Sequence, residues 1–168
     1  ASAAFESWAP QLLERLFTVF EAMEEPKKGT PQSPVVGQID ECVENLFVAL
    51  EDADSALKGQ LENMVLEYFK DHNPVNAAKI CAKVMGKLVD YNLTILPKIV
   101  DVLVTEEVLR QQCSKDRLAF RLRLLAGAAR NGASGVFQCM DVWKVLTGPS
   151  FVYHSEKLVR RASMKLLK

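Results

Sequence analysis

The amino-acid sequence predicts an all-α fold in which antiparallel helix pairs stack on one another. Apolar residues recur at helical spacing almost throughout, and no stretch alternates apolar and polar residues with the period of a strand. Turn-forming residues divide the chain into about eight helices, in pairs that begin near residues 4, 55, 94 and 134. The last two intervals, about 39 and 40 residues, are close to the length of a two-helix repeat. We therefore expect one repeat domain over residues 1–168.

The clearest loop in the sequence separates the first two predicted helices. Apolar residues of the first helix run from Trp8 to Met23 at spacings that place them on one face. Residues 26–34 then contain three prolines and a glycine. Because proline lacks an amide donor and clashes with the preceding turn, this segment cannot continue a helix. The second helix carries apolar residues from Ile39 to Leu50.

Capping residues indicate where the third and fourth helices begin. Asp54 or Ser55 is expected to cap the third helix, because a short polar side chain can accept a hydrogen bond from the first turn. Asn73 is expected to cap the fourth, with Pro74 at the first helical position, where an amide donor is not needed. The apolar positions of the two helices are Leu57, Leu61, Met64, Val65, Tyr68 and Phe69, then Val75, Ala78, Ile80, Val84, Leu88 and Val89.

Proline and glycine also delimit the last four predicted helices. Pro97 suits the first turn of the fifth helix, which we expect to be interrupted near Thr105. Asn131-Gly132 is a typical helix C-terminus for the sixth, and Gly148-Pro149 ends the seventh. The four predicted helices cover approximately residues 94–109, 117–130, 135–146 and 155–168.

Segments of four predicted helices resemble HEAT or armadillo repeats. The first helix of such a repeat often has an early proline before an apolar run, as in residues 8–16 and 95–103. The second helix often has a Val-Arg step followed by a small residue and leucines; residues 159–167 match this pattern and residues 118–125 do so loosely. The resemblance implies a right-handed α-solenoid that binds other macromolecules on an extended surface and has no catalytic residues. These motifs cover only part of the chain, so a compact helical bundle or a PCI-type helical repeat also fits.

Charge is balanced over the whole chain but not along it. The 21 basic side chains equal the 21 acidic ones, which argues against a strongly basic tail or an acidic disordered protein. Residues 1–71 nevertheless carry a net charge of −9, residues 72–109 are neutral, and residues 110–168 carry +9. Stacked repeats keep the order of the chain as an order in space. We therefore expect an electrical gradient along the molecule.

The basic segment, residues 110–168, contains the candidate binding residues. If the sixth and eighth helices lie side by side, their basic side chains form one strip that binds a partner. The predicted strip consists of Arg117, Arg121, Arg123, Arg160, Arg161, Lys165 and Lys168. It suits an acidic protein partner or the acidic end of a second copy. The alternative partner is RNA or DNA, because phosphate charge dominates the affinity of nucleic acids for basic surfaces.

The same segment contains a possible phosphorylation site. Residues 160–164 resemble a substrate of basophilic kinases of the cyclic-AMP-dependent type, with two arginines, a spacer, Ser163 and an apolar residue. A phosphate there would add almost two negative charges to the strip. The other interpretation is that Ser163 is packed inside a repeat helix.

The sequence contains no recognisable signature of catalysis, cofactor binding or a metal site. Nucleotide-binding, nucleophile-elbow and zinc-protease motifs are lacking, and His72 and His154 are interpreted as surface or capping residues. The four cysteines, Cys42, Cys81, Cys113 and Cys139, form no C-x-x-C pair and suit buried, reduced thiols. No apolar run could span a bilayer. We expect a non-catalytic scaffold that acts in the cytoplasm or nucleus as part of a larger assembly. We expect no cofactor, no small-molecule substrate and no membrane association.

Overall fold

The computed structural model describes residues 3–25, 29, 31, 34–92, 94–130 and 139–167. Over these residues the protein is helical and contains no strand, which confirms the predicted all-α class. The helices are α1 (Ala3–Ala22), α2 (Pro34–Leu50), α3 (Ser55–Asp71), α4 (Ala78–Tyr91), α5 (Leu96–Leu103), α6 (Glu106–Leu109), α7 (Lys115–Ala129), α8 (Met140–Leu146), α9 (Pro149–Val152) and α10 (Lys157–Leu166), with a 3₁₀ turn at Val75–Ala77 before α4.

The chain divides into two compact units, of which unit 1 comprises residues 1–68. It contains α1, α2 and most of α3, whose apolar residues recur at helical spacing and form its core. Asp54 caps α3, since its Oδ1 accepts a hydrogen bond of 2.8 Å from the amide of Leu57. Tyr68 joins α3 to α1, because its ring stacks on Phe17 at a centroid distance of 4.0 Å and its hydroxyl donates to Glu21 Oε1 at 2.7 Å.

Unit 2 comprises residues 69–168, and its central element is α7. This helix packs chiefly against α4 and α10 and also against α5. Its buried residues point in several directions around the helix: Leu118, Ala119, Phe120, Arg121, Leu122, Leu124, Leu125 and Ala128. A helix that is apolar on most sides is an interior helix. Its position between α4 and α10 is therefore determined by its sequence.

Specific contacts give the directions of the helices in unit 2. Arg121 bonds to Asn73 just before α4, and six residues further on Gly127 lies against Ala82 within α4, so α7 and α4 run in the same direction. The Lys115–Glu156 pair joins the start of α7 to the start of α10 in the same sense. The second helices of successive pairs thus form one parallel layer, as stacked repeats require.

Within the last pair the two helices are antiparallel. The indole of Trp143 donates to the carbonyl of Leu166 at 3.2 Å, and the hydroxyl of Ser163 donates to the carbonyl of Leu146 at 2.6 Å. Later residues of α8 therefore lie opposite earlier residues of α10. These two contacts confirm that α8 and α10 form an antiparallel helix pair, as the sequence predicts.

Several helix limits differ from those predicted. Asn73 does not cap a helix; its side-chain oxygen accepts a hydrogen bond from Arg121, and Pro74 precedes the 3₁₀ turn instead of beginning a helix. The expected interruption near Thr105 is confirmed, because α5 ends at Leu103 and α6 begins after Thr105. A short helix, α9, was not predicted after Gly148. Pro149 is its first residue, since the fixed φ of proline suits that position.

Two predicted features lie wholly or partly outside the described residues. Most of the proline-rich loop, 26–34, is one of them, although Pro34 is already the first residue of α2. The other is the segment 131–138, which includes the expected C-terminus at Asn131-Gly132 and the start of the seventh predicted helix. The single repeat domain over 1–168, the right-handed superhelix and the electrical gradient stay predictions.

Candidate interaction surface

The predicted basic strip requires α7 and α10 to lie side by side, and they do so in unit 2. Ser114 begins α7 by accepting a hydrogen bond of 3.2 Å from the amide of Arg117. The helical period then determines which of the seven predicted basic residues reach solvent. They separate into buried, structurally bonded and exposed groups, and Lys168 lies outside the described residues.

Arg121 is not part of a solvent-facing strip, and its prediction as a partner-binding residue is corrected. Its side chain is 1% exposed. The guanidinium donates to the carbonyl oxygens of Lys70 (2.9 Å), Leu103 (3.0 Å) and Val102 (3.4 Å), and to Asn73 Oδ1 (3.3 Å). Burial lowers the pKa of this guanidinium, and the nearby positive charge of Arg117 lowers it further.

The position of Arg121 follows from how helices end. The last four carbonyls of an α-helix lack partners within the helix and carry its negative dipole end. Lys70 lies in the last turn of α3, and Val102 and Leu103 lie in the last turn of α5. One guanidinium therefore satisfies the C-terminal carbonyls of two helices at once, which a fork of five N–H donors can do. Arg121 is a buried clamp that fixes α7 in the stack.

Arg117 and Arg160 also take part in local structure. The Arg117 guanidinium is 3.3 Å from Glu107 Oε2 just after the start of α6. Arg160 donates to the carbonyls of His154 (2.7 Å) and Ser155 (2.8 Å), which holds the turn before α10. The amide of Glu156 donates to His154 Nδ1 at 3.0 Å. This bond places His154 in the turn before α10.

Ser163 is packed inside the pair formed by α8 and α10, so the predicted phosphorylation site is corrected. The residue is 0% exposed, and its hydroxyl donates to the carbonyl of Leu146 at 2.6 Å. A kinase needs the hydroxyl exposed on an extended backbone, and neither condition holds in the folded protein. The helix-packing interpretation of Ser163 is the one that the structure supports.

The basic residues that face solvent extend over three helices. Arg123 is half-buried on α7, and Arg161 and Lys165 are exposed on α10. The same side of the layer carries further bases on α4, α7 and α10 that the sequence prediction missed. We call the whole set the basic face: Lys79, Lys83, Lys87, Arg123, Arg130, Lys157, Arg161 and Lys165.

The missed lysines of α4 had a recognisable pattern. Lys79, Lys83 and Lys87 are spaced by four residues, which places them on one side of a helix. They were overlooked because the segment 72–109 is neutral when its charges are summed. A sum over this window hides the three lysines of α4, because three of the four acidic residues of the segment lie on later helices.

Six of the eight acidic residues of unit 2 lie outside α4, α7 and α10. Among these six, Glu106 pairs with Arg110 at 2.6 Å and Glu156 pairs with Lys115 at 2.9 Å. The hydrogen bond from Lys115 lowers the pKa of Glu156, and the positive charge of that lysine adds to the effect. By sequence, unit 2 has 17 Lys/Arg and 8 Asp/Glu, a net charge of +9, whereas unit 1 has 4 and 13, a net charge of −9.

The cysteines differ in their surroundings. Cys81 and Cys139 are buried as expected, Cys113 is partly exposed, and Cys42 is exposed on α2, where the expectation of burial was wrong. Burial raises the pKa of the Cys113 thiol and the nearby Glu107 raises it further. Burial likewise raises the pKa of Cys139, with a smaller contribution from Asp101. Cys42 borders an open groove of about 230 Å³ between α1 and α2.

The described part of the chain contains neither a cluster of metal ligands nor a membrane-spanning helix. Within it, no group of three or more His, Cys, Asp or Glu side chains could hold a metal ion. No helix among the described residues is both long enough and apolar enough to cross a bilayer.

Stacked helix pairs with a parallel layer of second helices define an α-helical repeat protein. The comparison with known families identifies which kind of α-helical repeat protein this is. Residues 1–119, more than two thirds of the chain, match the family model for the mid HEAT repeats region of proteasome activator complex subunit 4. The chain therefore belongs to this HEAT-repeat family, which confirms the HEAT resemblance of its sequence. The searches of curated proteins and of solved structures gave no match.

Proposed function

We propose that this protein is a non-catalytic HEAT-repeat scaffold that mediates protein–protein interaction within a proteasome-activating assembly. The observation that carries the proposal is membership of the family over residues 1–119. The family is defined on a subunit of a proteasome activator complex, and the chain continues beyond the matched residues with the rest of α7 and with α8 to α10. The protein's own partner is accordingly sought first among proteasome components.

Rigidity of unit 2 supports a scaffold. The Arg121 clamp joins α7 to the last turns of α3 and α5 through one partly buried and one buried hydrogen bond. Gly127 allows close approach between α7 and α4, because a Cβ there would lie only 2.8 Å from the carbonyl carbon of Ala82. A surface held in one arrangement before binding loses less conformational entropy when the partner arrives.

The local bonding of His154 and Ser163 supports a non-catalytic role. His154 Nδ1 is occupied by a backbone amide at the start of α10, and the Ser163 hydroxyl is occupied by a backbone carbonyl. Groups engaged in this way are not free to act as base or nucleophile. We expect the protein to act in the cytoplasm or nucleus, in keeping with the cysteine pattern of its sequence.

Capture of purified proteasome tests the proposal. The full chain, immobilised through a terminal tag, should retain proteasome in a saturable manner, and chain denatured before immobilisation should retain none. Equal retention on native and denatured chain, or no retention at micromolar concentrations, would contradict the proposal. Binding of RNA or DNA, the alternative function, competes for the same basic face and is measured separately below.

A further inference from the structure

We propose that the basic face of unit 2 binds an acidic segment of a protein partner in which apolar residues are interspersed among Asp and Glu. This inference rests on the proposed scaffold function and names the chemistry of the partner. It depends on three observations: the adjacency of three helices, the separation of charge on their surfaces, and the apolar side chains beside the bases.

The three helices that carry the basic face are neighbours. α7 packs against α4 on one side and α10 on the other, and contacts along their length show that they run in the same direction. Packed helices lie about 8–10 Å apart, so the face is roughly 20 Å wide. An extended chain rises about 3.3 Å per residue, and about six residues would cross all three helices.

The burial pattern turns the basic side chains outward. Lys79 on α4, Arg130 directly after α7, and Lys157 and Arg161 on α10 are exposed. The close approach of α4 and α7 at Gly127 brings their solvent sides next to each other. Lys83, Lys87 and Lys165 have interactions of their own and contribute charge to the face. The bases are therefore distributed across the layer in a continuous band.

Basic side chains outnumber acidic ones on this face. Among the described residues of α4, α7 and α10, the acidic side chains are Asp90 and Asp116, against the eight bases of the basic face. The net charge of +9 over unit 2 adds a long-range attraction for an acidic ligand. A complementary partner must therefore bring several negative charges.

Apolar side chains beside the bases favour a protein over a nucleic acid. Leu158 and Met164, each three positions from Arg161 on α10, are 56% and 52% exposed. A phosphate backbone has no complement for these side chains, whereas apolar residues of a peptide would bury them. The exposed residues described on α4, α7 and α10 include no aromatic side chain, which is what single-stranded nucleic acid uses for stacking.

Fluorescence anisotropy with defined probes tests the inference. The main probe is a labelled peptide of Glu-Glu-Leu repeats, about 12 residues long so that it exceeds the width of the face. Its controls are a Gln-Gln-Leu peptide, a Glu-Glu-Ser peptide and a mixed-sequence RNA oligonucleotide. We expect the Glu-Glu-Leu peptide to bind the full chain more tightly than all three, with affinity that falls as salt is raised.

Matched charge reversals locate the site. Lys79→Glu, Arg123→Glu and Arg161→Glu together should weaken peptide binding about tenfold or more, since rim charges act mainly by electrostatic attraction. Arg15→Glu, Lys98→Glu and Lys144→Glu change the net charge equally but lie elsewhere, and should change binding by less than about twofold. Circular dichroism establishes that both triple variants are folded. Equal weakening by the two triple variants would show that net charge alone attracts the peptide and would overturn the proposal.

Two further outcomes would also overturn it. Tighter binding of the RNA than of the Glu-Glu-Leu peptide, lost in the first triple variant, would make the face a nucleic-acid site. Concentration-dependent dimerisation of the wild-type chain in sedimentation, lost in the same variant, would make unit 1 of a second copy the occupant. Capture of proteasome is measured independently, so failure of the peptide to bind leaves the proposed function standing, and failure of capture leaves the peptide site standing.

Discussion

Replacement of Arg121 is the most informative perturbation of the fold, because this one buried side chain satisfies C-terminal carbonyls of two helices. Arg121→Met keeps most of the side-chain volume and removes all of its donors. The carbonyls of Lys70 and Leu103, at 2.9 and 3.0 Å, and the two longer contacts to Val102 and Asn73 then lose their partner. None of the backbone oxygens can be replaced by mutation, so the change leaves acceptors unsatisfied in the interior.

The expected decrease in the free energy of unfolding follows from two opposing contributions. Each hydrogen bond to a charged donor contributes about 1.5–3 kcal/mol, and the two shorter bonds together would contribute about 3–6 kcal/mol by that measure. Removing the buried charge also removes its desolvation penalty, which is several kcal/mol. Removing only one partner of a buried charged interaction nevertheless costs about 3–5 kcal/mol in measured cases, because the other partner stays buried and unpaired. We therefore expect Arg121→Met to lower the free energy of unfolding by about 2–4 kcal/mol.

Urea denaturation followed by far-ultraviolet circular dichroism measures this loss. Arg123→Met, on the same helix but toward solvent, is the matched control and should change stability by no more than about 0.5 kcal/mol. Arg121→Lys keeps the charge but replaces the planar fork with one ammonium group, so its stability should lie between those of wild type and Arg121→Met. A loss below about 1 kcal/mol for Arg121→Met, or an equal loss in the Arg123 control, would refute the clamp.

Three other perturbations have defined outcomes. Gly127→Ala should destabilise the protein by about 1–3 kcal/mol in urea, because the new Cβ would meet the backbone of α4, whereas Gly59→Ala enters open space and should stabilise by about 0.5–1 kcal/mol; stabilisation by both would contradict the close packing. A thiol reagent followed by mass spectrometry should modify the exposed Cys42 first and the buried thiols only after unfolding; modification of all at one rate would disprove this burial pattern. Because the pKa of Glu156 is lowered, its pairing with Lys115 stabilises the folded protein at pH values above the ordinary carboxyl pKa. This stabilisation is lost as the pH falls through the lowered pKa. In Lys115→Ala the pKa of Glu156, followed by NMR, should rise toward 4.5, and an unchanged pKa would exclude Lys115 as the cause.

Local pattern predicts the helices of this protein well, and the reason is physical. Apolar spacing, proline and capping residues act within a few positions of one another, so Asp54 at the start of α3 and the interruption at Thr105 could both be predicted. The limits that were missed depend on distant residues. Asn73 has the composition of a cap, but its oxygen accepts a hydrogen bond from Arg121, 48 positions away in sequence.

The candidate site was harder to predict because it depends on which side of a helix faces solvent. Arg117 and Arg121 share one side of α7, yet that side packs toward α5 and α6 instead of outward. The near-continuous apolar run around Arg121 was the available indication that α7 is buried on most sides. Ser163 was ambiguous for the same reason, since a kinase motif and a packed helix use the same residues.

Lysine footprinting of the full chain tests most directly whether the basic face is a protein-binding surface. Acetylation rates of individual lysines are measured by mass spectrometry with and without the Glu-Glu-Leu peptide. Binding across the face should slow acetylation of Lys79 on α4 and Lys157 on α10 together. The rates at Lys98 on α5 and Lys144 on α8 should stay unchanged, because these exposed lysines lie outside the face. Equal protection of all four lysines, or protection confined to Lys98 and Lys144, would contradict the account.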